Sequence, residues 1–113
     1  MAHEAAGRAG VDGGFTLSWG AHTFLCLDTL HKWGNEEQRK KYVPKLATGE
    51  WMGAMGLTEP NAGSDAAGVE TTAVRKGDKY VLNGTKMFIT NGPIADVLVI
   101  YATVDKNLKH QGI

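Results

Sequence analysis

The 113-residue sequence is poor in cysteine and proline and has no excess of charge of either sign. Its single cysteine excludes an internal disulfide and favours a reducing compartment over a secretory one. Twelve basic and twelve acidic residues cancel, and no basic stripe carries interleaved aromatic residues, so we expect no nucleic-acid partner. The four histidines are not paired with cysteines or carboxylates at metal-ligand spacing, so we expect no metal site.

Long apolar runs are also missing. No run approaches the roughly 20 residues that a membrane-spanning helix needs, so we expect no membrane span. The opening residues, Met1 to Glu4, have neither the charged nor the apolar region of a signal peptide, and we expect no such leader. The composition that remains, 42% hydrophobic and 21% charged, is typical of a globular protein.

The first half of the sequence has helical periodicity. Apolar residues recur at three- and seven-residue intervals, which predicts a largely buried helix over residues 15–33. Cys26 lies between two leucines in this run and is expected to be a buried structural thiol rather than a nucleophile. Gly34 predicts the end of the helix, and Asn35 with Gln38 predicts a capping box that begins a second helix. That helix either ends at Pro44 or continues for one more turn.

The second half has the alternation and turn residues of β structure. Strands are predicted at residues 51–57, 69–75, 79–83, 85–90 and 95–103, followed by a polar loop at 105–111. Gly77-Asp78 and Asn83-Gly84 are expected to be the turns between neighbouring strands. The predicted fold class is therefore α+β, with a helical segment at residues 1–50 followed by an incomplete antiparallel β-domain at residues 51–113.

Two segments of this second half have the same form. Leu57–Asp65 and Lys86–Gly92 each have an apolar stretch, a hydroxyl residue (Thr58 or Thr90), and then a loop that contains glycine. Such loops let backbone N–H groups approach an anion or the polar edge of a ring. Taken on spacing alone, a plain connection between strands explains them equally well. The sequence has no dinucleotide or P-loop motif, and residues 62–66 do not match a hydrolase nucleophile elbow.

The same two segments, with the helical run before them, resemble the acyl-CoA dehydrogenase family. The resemblance implies that residues 1–50 are the end of an N-terminal helical domain and residues 51–113 the first part of a central, barrel-like flavin-binding domain. It implies an enzyme that α,β-desaturates acyl-CoA thioesters, with hydride passing to FAD. It further implies electron-transfer flavoprotein as the electron acceptor, a homo-oligomer in the full-length protein, and a location in the bacterial cytoplasm or the mitochondrial matrix.

The resemblance also implies which residues contact the cofactor. Leu57 and Thr58 would meet the pyrimidine edge of the flavin, and Phe88 would shield one face of the ring where most relatives carry tryptophan. Ser64 would also face the thioester substrate, and Thr90 would lie near flavin N5. The complete implied set is Met55, Leu57, Thr58, Gly63, Ser64, Phe88 and Thr90.

No catalytic residue is expected in this chain. In the family a glutamate from beyond the β-domain removes the substrate α-proton, so the base is expected past the C-terminal end. Glu59 adjoins Thr58, but a carboxylate in a turn beside proline is predicted to be structural. Two other functions stay open: an acyl-CoA oxidase or related flavoenzyme, and a non-catalytic binding module that has lost its cofactor. The sequence does not predict the length or branching of the acyl group.

Overall fold

The computed structural model describes residues 1–10 and 12–113 of the chain. They form two compact units. The first consists of Met1–Met55 and Thr90–Val99, and the second of Gly56–Ile89 and Ile100–Ile113. Helices precede short strands along the chain, so the predicted α+β class is confirmed. Within the described residues, no helix is both long and apolar enough to cross a membrane.

The helices lie in the first unit. They are α1 at Ala2–Arg8, α2 at Gly13–Gly20, a π-helical segment at Ala21–Leu27, α3 at Asp28–Trp33 and α4 at Glu36–Thr48. The carboxylate of Asp12 caps α2 by accepting from the Phe15 N–H at 3.1 Å. From Gly13 to Trp33 the helical backbone is unbroken, which agrees with the helix predicted over residues 15–33.

The burial predicted for this long helix is wrong for most of its apolar residues. Cys26 is fully buried, as expected, and burial raises the pKa of its thiol. The side chains of Phe15, Phe24 and Trp33 are 56%, 56% and 83% exposed. Periodicity identifies an apolar face but not what covers it, and within the described residues the other helices contact only part of that face.

Helix α4 begins at the predicted capping box. Asn35 Oδ1 accepts from the Gln38 N–H at 2.8 Å, and Gln38 Oε1 accepts from the Asn35 N–H at 2.9 Å. Pro44 lies inside the helix, which continues to Thr48. The helix ends because Gly49 adopts a left-handed conformation, with φ 75°, that glycine tolerates without steric cost.

Within the described residues, four strands form two small sheets. β1 (Gly53–Gly56) pairs with β4 (Val97–Ile100), and β2 (Thr72–Lys76) pairs antiparallel with β3 (Lys79–Asn83). Lys76 lies opposite Lys79, which leaves Gly77 and Asp78 as the predicted two-residue turn, with Gly77 at φ 65°. Short 3₁₀ segments are present at Ala66–Gly68, Gly92–Ile94 and Lys106–Gly112.

Three predictions about the second half need correction. Residues 85–90 form an irregular loop rather than a strand, because the Met87 N–H donates to the Thr58 carbonyl instead of to a strand ladder. Strand β2 begins at Thr72 rather than at residue 69, because the preceding N–H groups donate to a side chain. Residues 105–111, predicted to be a polar loop, lie largely in a 3₁₀ segment.

Candidate functional site

The two signature segments meet in the second unit. Lys86 Nζ donates to the Leu57 carbonyl at 3.0 Å and to Glu59 Oε1 at 2.6 Å. Beside these bonds, the Met87 N–H donates to the Thr58 carbonyl at 3.0 Å. Three consecutive residues of the first segment are therefore fixed to two consecutive residues of the second.

The Glu59 carboxylate is the centre of this junction. The Glu59 side chain is only 2% exposed, and besides Lys86 it accepts from the N–H groups of Glu70 at 2.6 Å and Thr71 at 3.0 Å. Burial by itself raises the pKa of Glu59, but the hydrogen bond from Lys86 and those from the backbone outweigh it and lower that pKa from 4.5 to about 2. A carboxylate held ionised by so many donors is a structural anchor and a poor proton acceptor.

After this anchor the chain makes a tight loop. The backbones of Glu59 and Ala62 exchange hydrogen bonds at 2.9 and 3.2 Å, which turns the chain so that Gly63 and Ser64 lie on the surface. A Cβ added at Gly63 would meet no atom within 4 Å. Within the part of the chain that the structure describes, neither the N–H groups of Gly63 and Ser64 nor the hydroxyls of Thr58 and Ser64 are used in hydrogen bonds.

Phe88 follows the anchor in the second segment, and its ring is 85% exposed. Its backbone is left-handed, with φ 56°, a conformation that a bulky residue adopts only under constraint. Strain of this kind is concentrated at binding and catalytic sites, where the surrounding structure holds it. An apolar ring held in water by strained backbone is a candidate contact for a ligand.

Two of the predicted site residues, Met55 and Thr90, belong to the first unit. Met55 is in β1, and Thr90 is half-buried just before Asn91. The side chain of Asn91 accepts from the Ser18 hydroxyl at 2.7 Å and donates to the carbonyls of Ser18 at 2.9 Å and Gly53 at 3.2 Å. The backbone next to Thr90 is therefore fixed both to helix α2 and to strand β1.

Sequence reasoning missed the residues that hold the loops in place. Lys86 was read only as the start of the second segment, Glu59 as a turn residue, and Asn91 as part of a loop. Each is paired across a long stretch of sequence: 27 residues separate Lys86 from Glu59, and 73 separate Asn91 from Ser18.

The loop of the second unit fits an anionic ligand that carries a flat aromatic ring, which is the chemistry of FAD. Free N–H groups at Gly63 and Ser64 suit a phosphate, because an open backbone can approach it closely. The Thr58 hydroxyl can bond a polar ring edge, and Phe88 offers an apolar face for packing. No cluster of three or more metal-ligating side chains is found among the described residues.

A separate cavity of about 560 Å³ lies within the first unit. Helix α2, the π-helical segment, the end of α4 and Trp51 with Met52 line it. Inside this unit, His22 Nε2 donates to the Leu46 carbonyl at 3.0 Å, and Nδ1 accepts from the Gly53 N–H at 2.9 Å. His22 thus connects three elements and has no ring nitrogen left for a ligand.

The described residues combine helices, two small sheets and two joined loops whose open donors suit a cofactor. Family models agree: residues 1–50 match the acyl-CoA dehydrogenase N-terminal domain and residues 54–113 match the acyl-CoA dehydrogenase middle domain. The chain belongs to the acyl-CoA dehydrogenase family.

Named relatives are similar at high identity but are much longer. Isovaleryl-CoA dehydrogenase, mitochondrial, from Bos taurus is 55% identical over 95 residues, which are 84% of this chain and 22% of the relative. Short-chain-specific acyl-CoA dehydrogenase from Clostridium acetobutylicum is 53% identical over 93 residues, or 82% of this chain and 24% of the relative. The chain thus spans about a quarter of these relatives.

Solved structures with the same fold are equally partial matches. A chain in "Electron transferring flavoprotein of Acidaminococcus fermentans: Towards a mechanism of flavin-based electron bifurcation" is 49% identical, with a TM-score of 0.87 over 90% of this chain and 27% of that one. "PigA with FAD and proline" is 41% identical, with a TM-score of 0.85 over 88% and 26%. "Prolyl Acyl Carrier Protein Oxidase AnaB" is 45% identical, with a TM-score of 0.84 over 88% and 26%.

Proposed function

We propose that this chain is the flavin-binding part of an FAD-dependent dehydrogenase that α,β-desaturates acyl-CoA thioesters. The observation that carries the proposal is the pair of joined loops in the second unit. In one loop the backbone at Gly63 and Ser64 is accessible, and in the other the Phe88 side chain is exposed. The membership in the acyl-CoA dehydrogenase family supports it. So does a related structure whose description includes FAD.

In this proposal each loop residue has a distinct task. The N–H groups of Gly63 and Ser64 bind a phosphate of FAD, and the Leu57 backbone with the Thr58 hydroxyl meets the polar edge of its ring. Phe88 covers an apolar face of the ring and excludes water from it. FAD, when bound, supplies the two-electron acceptor that no amino-acid side chain provides.

Three further assignments rest on the resemblance. Met55 and Thr90 contact the cofactor, and Ser64 also contacts the acyl-CoA substrate. The border between the helical and the β-domain lies between residues 50 and 51, which is consistent with family-model matches at residues 1–50 and 54–113.

The base that removes the substrate α-proton is proposed to lie outside this chain. Glu59 does not suit that task, because it accepts from three donors and its pKa is lowered to about 2. A general base works best when its pKa is near the pH at which the enzyme operates. The base is therefore expected from another part of the complete protein.

An acyl oxidase is the second candidate. The similarity to a structure described as a prolyl acyl carrier protein oxidase, at 45% identity, favours it. The two candidates share the flavin loops and differ in what reoxidises the flavin, which is oxygen in an oxidase and a protein acceptor in a dehydrogenase.

The partners and the location follow the family. We propose electron-transfer flavoprotein as the acceptor, a homo-oligomer as the complete protein, and a mitochondrial matrix or bacterial cytoplasmic location. The mitochondrial and bacterial relatives support the location. A chain similar to this one occurs in a structure whose description names electron transferring flavoprotein, and this supports the proposed acceptor.

The test uses the complete natural polypeptide that carries this sequence. Purified protein is loaded with FAD, made anaerobic and mixed with a series of acyl-CoA thioesters while the flavin absorbance is followed. Bleaching by at least one thioester supports the proposal, and an unchanged flavin band with every thioester contradicts it. Rapid oxygen consumption during turnover in air would favour the oxidase.

A further inference from the structure

We propose that the Glu59–Lys86 ion pair positions the loop at Gly63 and Ser64 relative to the Phe88 ring, so that both can contact one ligand. The proposal rests on the proposed function, because it assigns a task within the same flavin site. It adds two residues, Glu59 and Lys86, whose charged groups bond to each other and to the backbone. Both lie in the second unit, as do Phe88 and Gly63.

The geometry makes this pair the junction of the two loops. Lys86 Nζ reaches both the Leu57 carbonyl and the Glu59 carboxylate, one residue on each side of Thr58. The Phe88 ring is two residues beyond Lys86, and Gly63 is four residues beyond Glu59. Any change in the Lys86–Glu59 contact therefore moves one loop relative to the other.

Burial argues that the pair is retained for geometry rather than for stability. The side chains of Lys86 and Glu59 are 12% and 2% exposed. Removing two charges from water costs about as much as their attraction returns, so apolar residues of the same volume often stabilise a fold as well. A buried ion pair is more valuable where it selects one register between two segments.

The strained backbone of Phe88 also supports a positioning role for Lys86. At φ 56° this residue would relax to an ordinary conformation unless its neighbours prevented it. The constraint available on its N-terminal side is the Lys86 side chain together with the Met87 N–H bond to Thr58. Loss of the Lys86 contacts should release Phe88 and with it the ring orientation.

The test uses the complete natural polypeptide and compares Lys86→Met with two controls. Methionine keeps the length of the side chain and removes the ammonium group. Leu46→Ala is a stability control, because Leu46 is 1% exposed in the first unit and its loss destabilises the fold without touching the loops. Lys45→Met removes a surface pair with Glu50 and controls for loss of one positive charge.

Three quantities are measured in each variant: the FAD dissociation constant, the visible circular dichroism of bound flavin, and thermal unfolding. Lys86→Met should weaken FAD binding about tenfold or more and change the flavin dichroism, as expected for loss of a charged hydrogen bond that shapes a binding loop. Leu46→Ala and Lys45→Met should keep the FAD dissociation constant within about twofold of wild type and leave the flavin dichroism unchanged. Equal effects of Lys86→Met and Leu46→Ala at equal loss of stability would overturn the proposal.

A measurement without cofactor separates this proposal from the proposed function. A fluorinated phenylalanine is incorporated at position 88, and its ¹⁹F resonance is recorded in apo-protein with and without Lys86→Met. A shifted or broadened resonance in the variant supports the positioning role, even if wild type proves unable to bind FAD. An unchanged resonance in a folded Lys86→Met variant overturns it. In Lys86→Arg, which retains the charge, the resonance should lie between those of Lys86→Met and wild type.

Discussion

Acidification should destabilise the protein through Glu59 more than through any surface carboxylate. The pKa of Glu59 is lowered in the folded state from 4.5 to about 2. The stabilisation from this group is therefore fully present above pH 4.5 and is lost as the pH falls towards 2. Each pKa unit corresponds to about 1.36 kcal/mol, so the free energy of unfolding should fall by roughly 3 kcal/mol from this residue.

The assay is urea unfolding of the complete polypeptide at a series of pH values between 7 and 2. The matched variant is Glu59→Gln/Lys86→Met, which has no titrating group at the junction. Wild type should lose roughly 3 kcal/mol more than the double variant over this range. Glu50→Gln, which removes an exposed ion pair with Lys45, is the control for loss of one carboxylate. If the free energy of unfolding falls equally with pH in wild type and in the double variant, Glu59 does not provide this stabilisation.

Three other substitutions give separate tests. Gly63→Val should leave stability within about 0.5 kcal/mol, because a Cβ there meets no atom within 4 Å, yet weaken FAD binding by blocking backbone approach; equal flavin content in mutant and wild type would count against the phosphate assignment. Gly53→Ala should cost about 1–3 kcal/mol, because its Cβ would lie 2.8 Å from both Cβ and Sγ of Cys26; an unchanged melting temperature would contradict this. Asn91→Gly keeps a residue that tolerates the left-handed backbone and removes three side-chain hydrogen bonds. The free energy of unfolding measured with urea should therefore fall by about 2–4 kcal/mol. A fall below about 1 kcal/mol would show that these bonds are dispensable.

Features set by neighbouring residues could be predicted from the sequence. The capping box at Asn35 and the hairpin turn at Gly77-Asp78 depend on side chains within a few residues, and both are present in the structure. The loop after Thr58 was also expected, because proline, asparagine and glycine follow that residue, whereas Phe88 lies in a loop where a strand was predicted. Their contact with FAD stays a prediction.

Features set by distant residues could not be predicted. The strand expected at residues 85–90 is absent because Lys86 and Met87 bond to residues 57–59, and no local pattern reports such a contact. Periodicity predicted a buried apolar face on the long helix, but it does not say whether Phe24 or Trp33 is covered. The same limit applies to Asn91, whose partners are on α2 and β1.

A crystal structure of the complete polypeptide with FAD is the most direct test of the central claim. The account predicts a phosphate of FAD within hydrogen-bond distance of the N–H groups of Gly63 and Ser64, and the flavin ring packed against Phe88. It also predicts that the Glu59–Lys86 contact is unchanged in the complex. FAD bound away from these residues, or Phe88 facing solvent beside a bound flavin, would contradict it.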